Sequence, residues 1–129
     1  MIRHRIALQD SNTARVSNLI EAVAELGASA SFNRIRVAMA YATCSGCKSL
    51  VSRLSAHVKN WRRMEKQWLV SFDFGRSEVP GLKYLQRLPH SEVKVPDASK
   101  PLANHLIPVR CFHAKTYIFD VTKNPNDPL

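Results

Sequence analysis

Hydrophobic positions recur along this chain with more than one period. Between Asp10 and Ala28, residues Val16, Leu19, Ile20, Val23 and Leu26 fall at helical spacing. Ser11, Asn12 and Thr13 stand ahead of them as candidate N-caps, and Gly27 closes the run. This predicts an amphipathic helix. Ile35 to Tyr41 is short, apolar and bounded by polar residues, which predicts a central strand buried on both faces. From Gly46 the spacing lengthens again: Leu50, Val51, Leu54, Val58 and Trp61 mark one face of a second helix. Lys48, Arg53, Lys59, Arg62 and Arg63 mark its other faces. Residues 67–74 read as a second strand. Ser77 ahead of Glu78, Val79 and Pro80 opens a third helix whose inner face is Leu82, Leu85 and Leu88. Glu92 to Val95 is a third strand, 96–108 a loop with proline at both ends, and Val109 to Asp120 a final strand rich in β-branched and aromatic residues.

Strands alternating with helices predict an α/β fold built on an open sheet. No internal repeat or linker interrupts the pattern, so residues 1–129 read as a single domain. A chain of 129 residues can remove roughly two thirds of its unfolded surface from water. Its 45% hydrophobic content, with only seven Pro and four Gly, excludes a low-complexity or disordered chain.

Charge narrows the picture further. Nineteen Lys and Arg against ten Asp and Glu give a net +9, which attracts polyanions such as nucleic acid or anionic lipid and equally suits a well-solvated basic face. Three cysteines cannot all pair within one chain, and MIRHRIALQD holds no apolar run of the signal-peptide kind, so a reducing, cytoplasmic location is expected. No stretch approaches the ~18 uninterrupted apolar residues of a membrane span.

Candidate chemistry centres on FHAKTYIFD. On a strand, His113, Lys115 and Tyr117 project from one side, bringing an imidazole beside an ammonium. That pair suits phosphate: Lys holds non-bridging oxygens by charge, and a neutral His attacks phosphorus or moves a proton. A His and a Lys two apart also occur on any solvent-facing strand edge. In a rival reading, Cys44, Cys47, Cys111 and His113 form a zinc site, although the second pair is closely spaced for such a module. Buried, unreactive thiols are the plainer alternative. Asp73 falls where α/β proteins place functional groups, or else caps a turn. Trp61, Trp68 and Tyr84 read as packing residues before they read as base-stacking ones.

His113, Lys115 and Asp120 together stand as H-x-K-x4-D, which resembles the signature of the phospholipase D superfamily. The surrounding succession, AYATCSG at the end of one strand, VSFDFG at the end of the next and a Leu-rich helix before EVKV, is similar to the superfamily's nuclease-like branch over roughly residues 31–120. The resemblance implies a half-unit with an open mixed sheet flanked by helices. It also implies transfer at phosphorus without metal or other cofactor. The His of one motif attacks to form a phosphohistidine, a second His protonates the leaving oxygen, and water then hydrolyses the adduct. By position His113 is the nucleophile or the acid, Lys115 a phosphate ligand, and Asp120 a residue that supports the motif. A complete site takes two motifs, so a homodimer or a longer parent chain is the expected partner. The family's next segment, Gly-Ser-x-Asn, does not follow before Leu129, and the domain is therefore expected to be C-terminally incomplete. The basic charge favours DNA as substrate. Phospholipid hydrolysis, or a catalytically inactive nucleic-acid-binding fragment, are the alternatives.

Overall fold

The computed structural model describes residues 19–96, 113 and 115–122. In chain order they form α1 (Leu19–Ala28), β1 (Arg34–Met39), α2 (Cys44–His57), β2 (Glu65–Val70), α3 (Val79–Gln86), β3 (Ser91–Lys94) and β4 (Lys115–Asp120). A short 3-10 turn at Asp73–Gly75 lies between β2 and α3. The strands make one sheet in the order β3-β2-β1-β4. β1, β2 and β3 run parallel and β4 returns antiparallel to β1. Parallel neighbours need a crossover of a dozen or more residues, and α2 and α3 supply them. The architecture is thus α/β with an open mixed sheet.

Register sorts the side chains into layers, because neighbouring residues along a strand face opposite ways. Ile35 lies beside Lys66 and Phe119, Val37 beside Trp68 and Tyr117, and Met39 beside Val70 and Lys115. This is the face the helices cover. Ile35, Trp68, Val70, Leu54 and Leu85 are fully buried there. The opposite face carries Arg36, Leu69, Lys94, Thr116 and Ile118, all exposed. β1 is central, as expected, but it is buried on one face only: Arg36 is exposed and Ala38 half-buried. Its apolar run hides an alternation because Ala38 is small enough to sit at the surface without cost.

Other local expectations shift in instructive ways. Gly27 does not cap α1. It is a buried position where a Cβ would lie 2.7 Å from Phe119 Cε1 and 2.9 Å from Val58 Cγ2. The inner face of α1 is accordingly Ile20, Val23, Ala24 and Gly27, while Leu19 and Leu26 are exposed. The second strand spans Glu65–Val70 rather than 67–74, since Asp73 to Gly75 turn away. Glu78, not Ser77, is the N-cap of α3, with Pro80 in the first turn. Helix α2 starts at Cys44 behind Thr43, whose side chain accepts the Gly46 N–H. Trp61 and Trp68 are buried and Tyr84 packs against the core, the packing roles their spacing suggested. Ser11, Asn12, Thr13, Val16, Cys111 and most of the 96–108 loop lie outside the described residues, as does the start of the final strand.

Lys66 occupies the core face at the N-terminal end of β2 and is fully buried. Its ammonium donates to the carbonyls of Trp61 (2.6 Å), Met64 (2.7 Å) and Pro89 (3.0 Å) and sits 4.5 Å from the centre of the Trp61 ring. Three donors thus meet three acceptors, the condition for keeping an ammonium inside. Burial nonetheless pulls its pKa down to about 8.

Candidate active site

The C-terminal ends of parallel strands are where open α/β sheets place ligands, because the following loops and helix N-termini converge there. In this chain that end is organised by hydrogen bonds between consecutive crossover loops. Ala42 N–H donates to Ser77 Oγ at 3.0 Å, and Ser77 Oγ donates to Ser71 O. Glu78 N–H donates to Ala42 O, and Cys44 N–H donates to Glu78 Oε2 at 2.6 Å. Gly81 lets α3 approach this loop, since a Cβ there would lie 3.1 Å from Ala42 O. Residues 40–43 are therefore tied to the start of α3.

β4 brings the expected pair to the same end. Lys115 lies opposite Met39, the last residue of β1, and the same register carried two residues further puts His113 opposite Tyr41. The rings of Tyr41 and His113 meet edge to face at 5.6 Å. Lys115 Nζ stands 3.0 Å from His113 Nε2. With Lys115 as an ammonium, which has no lone pair to offer, Nζ donates and Nε2 accepts, and this contact requires the imidazole tautomer that carries its proton on Nδ1. Both side chains are exposed.

Beside them a cleft of about 210 Å³ is lined by Ile20, Tyr41, Thr43, Cys47, Lys115 and Tyr117. Tyr117 faces inward with Lys115, as strand alternation predicts. Burial, with the Cys47 thiol beside it, raises the Tyr117 pKa and keeps the phenol neutral. Cys47 is likewise pushed up to about 11, by burial and then by the neighbouring Cys44 and Glu78. It is an inert thiol at neutral pH. Among the described residues no group of three His, Cys, Asp or Glu is placed to hold a metal ion, and Cys111 lies outside them.

Asp120 sits at the far end of β4, away from His113 and Lys115. Its two oxygens take Arg34 Nε and Nη2, both at 2.8 Å, and Arg36 Nη2 also reaches Oδ2. The hydrogen bonds from Arg34 hold its pKa below the usual carboxylate range, with the charges of Arg34 and Arg36 adding to the effect. The forked geometry fixes β4 against β1 in one register. Asp120 therefore positions the strand and does not enter the cleft. Asp73, the other carboxylate singled out, is buried in the 3-10 turn, with its N–H bonded to Ser71 Oγ and its carbonyl to Arg76 N–H.

Four residues have roles that sequence spacing did not single out, three of them beside His113 and one at the far end of β4. Tyr41 contacts His113. Arg76 lies 5.6 Å from the Tyr41 ring and 5.8 Å from the Phe74 ring. Arg34 clamps Asp120. Two arginines alternating at the head of RIRVAM were the available sign of a carboxylate partner, but not of which one. A separate groove of about 360 Å³ between α2 and α3 presents Lys48, Lys83 and Arg87.

No family model, no curated protein and no solved structure matches this chain. Among the described residues no helix is long and apolar enough to cross a membrane.

Proposed function

We propose that this chain carries one half of a metal-independent phosphodiesterase site of the phospholipase D type, acting on DNA, with His113 and Lys115 as its phosphate-handling pair. The observation that carries the reading is the 3.0 Å contact between Lys115 Nζ and His113 Nε2 at the C-terminal end of the parallel strands. In that state the ammonium keeps the Nε2 lone pair occupied and the ring neutral. An arriving phosphodiester offers Lys115 a charged oxygen, a stronger acceptor than imidazole, and the ammonium transfers to it. Nε2 is then free to attack phosphorus. The N–P bond forms as the P–O bond to the leaving oxygen breaks, and a proton from the acid of the second motif neutralises that oxygen. Water attacks the phosphohistidine in the second step and restores the imidazole. Lys115 stabilises charge that grows on the non-bridging oxygens, the largest single contribution in transfers of this kind.

Because one motif supplies one His and one Lys, a second copy of this chain or a longer parent chain completes the site. Nucleic acid is favoured over lipid by the net +9 and by the groove of Lys48, Lys83 and Arg87, which suits a phosphate backbone. A cytoplasmic setting suits the free thiols of Cys44 and Cys47. The test is cleavage of labelled single- and double-stranded DNA in EDTA. Activity should persist in chelator, fall by about a thousandfold or more in His113→Ala and Lys115→Ala, and leave a phosphohistidine trappable by an alkaline denaturing quench, the N–P bond being labile to acid. Cleavage that chelator abolishes, or that survives His113→Ala, sinks the proposal.

A further inference from the structure

Phe74 is out of keeping with its surroundings in two ways. It is a large aromatic side chain left 50% exposed, beside Asp73 and Ser77, which are buried. Its φ of 57° also places a bulky residue in the left-handed region that glycine and asparagine ordinarily take. Gly75 follows with φ 61°, so two successive residues of the 3-10 turn hold positive φ. Strain of this kind persists where surrounding structure enforces it, and it clusters at ligand-binding positions.

What lies next to the ring points to a ligand. The Arg76 guanidinium is 5.8 Å from the Phe74 ring and 5.6 Å from the Tyr41 ring, and Tyr41 meets His113 edge-on at 5.6 Å. Among the described residues Arg76 makes no ion pair. An exposed cation between two aromatic rings, continuous with the phosphate-handling pair, offers flat π surface and positive charge together. Bases of a nucleic acid take up both features, by stacking and by cation–π contact. An acyl chain gains nothing from the guanidinium, and a base inside a duplex has both faces covered by its neighbours.

We infer that Phe74, Arg76 and Tyr41 form a platform on which an unpaired base of a single-stranded nucleic acid stacks while its strand passes His113 and Lys115. This deepens the phosphodiesterase reading and rests on it for the position of the phosphate. Phe74 is a binding residue here, with no part in the chemical step.

The experiment is fluorescence anisotropy with an end-labelled oligothymidylate and with an abasic chain of the same length and charge. Phe74→Asn removes the ring but tolerates positive φ, so it should fold with a Tm no lower than the parent's. Phe74→Tyr keeps the ring. Phe74→Asn should weaken oligothymidylate binding by about 5- to 150-fold, the range for losing one base–aromatic stack. Phe74→Tyr should bind within about twofold of the parent, and the abasic chain should bind the parent and Phe74→Asn alike. Equal affinity of Phe74→Asn and parent for oligothymidylate overturns the platform, as does equal affinity of the parent for the two chains. Phe74-dependent binding to phosphatidylglycerol vesicles without binding to oligothymidylate also overturns it and assigns the ring to a lipid surface. His113→Ala keeps the platform and removes the nucleophile. Base-dependent binding that persists in His113→Ala supports the platform, and the same binding by a parent protein that cleaves nothing keeps the platform while the phosphodiesterase reading fails.

Discussion

Replacing Gly27 by alanine tests the packing on which the site depends, and its sign is not obvious from sequence. In a helix, alanine is favoured over glycine by about 0.5–1 kcal/mol, and the gain is smallest near an end, where Gly27 lies. Against this, the new methyl would sit 2.7 and 2.8 Å from Cε1 and Cζ of Phe119 and 2.9 Å from Cγ2 of Val58. Carbon atoms pack best at about 3.5–4.0 Å, so each contact is short by most of an ångström. Neither neighbour yields easily. The Phe119 ring leans on Phe32 at 5.6 Å, and Val58 is buried at the end of α2. Overpacking of this size costs about 1–3 kcal/mol, which outweighs the helical gain and leaves a net loss of about 1–2 kcal/mol. In urea the midpoint should fall with the slope unchanged, and the Tm should drop by about 3–8 °C. Phe119→Leu removes the ring edge, so the double variant should be more stable than the sum of the singles by about 1 kcal/mol. A Gly27→Ala variant as stable as the parent, or more so, would show that α1 does not rest on β4 at this distance. The support for the strand that carries Lys115 would then have to be sought elsewhere.

The charged groups give two further tests. Burial sets the Lys66 pKa at about 8 in the folded chain against 10.5 when free, so between those values the unfolded state holds more protons and stability rises with pH. Measured against Lys66→Met, the parent should therefore gain stability from about pH 8 to 10.5, and a flat difference would mean that the three carbonyls replace water completely. Asp120 titrates the other way. Its folded pKa is depressed, so its contribution is present above its unfolded pKa of about 3.8 and is lost as pH falls through the lower folded value. Chemical denaturation from pH 5 to 2 should give a shallower acid loss for Asp120→Asn than for the parent, and equal slopes would refute the role given to Arg34.

The chain by itself determined what depends on near neighbours. The 3.6-residue spacing of Leu50, Val51 and Leu54 defined α2, and Leu82 and Leu85 defined α3, because a helix buries one stripe whatever it packs against. The H-x-K interval put His113 and Lys115 side by side, since that closeness is a property of three consecutive residues. Tertiary structure decided everything that joins distant segments. Sheet order and the reversal of β4 come from pairing, which local pattern does not encode. The partner of Asp120 lies at Arg34, the carbonyls that accept from Lys66 come from two loops, and the Tyr41–Arg76–Phe74 surface assembles from the ends of two strands. Gly27 shows the boundary between the two. Its place near the end of a helix was readable from the chain, but that it must stay small was decided by Phe119, which meets it only after β4 pairs with β1.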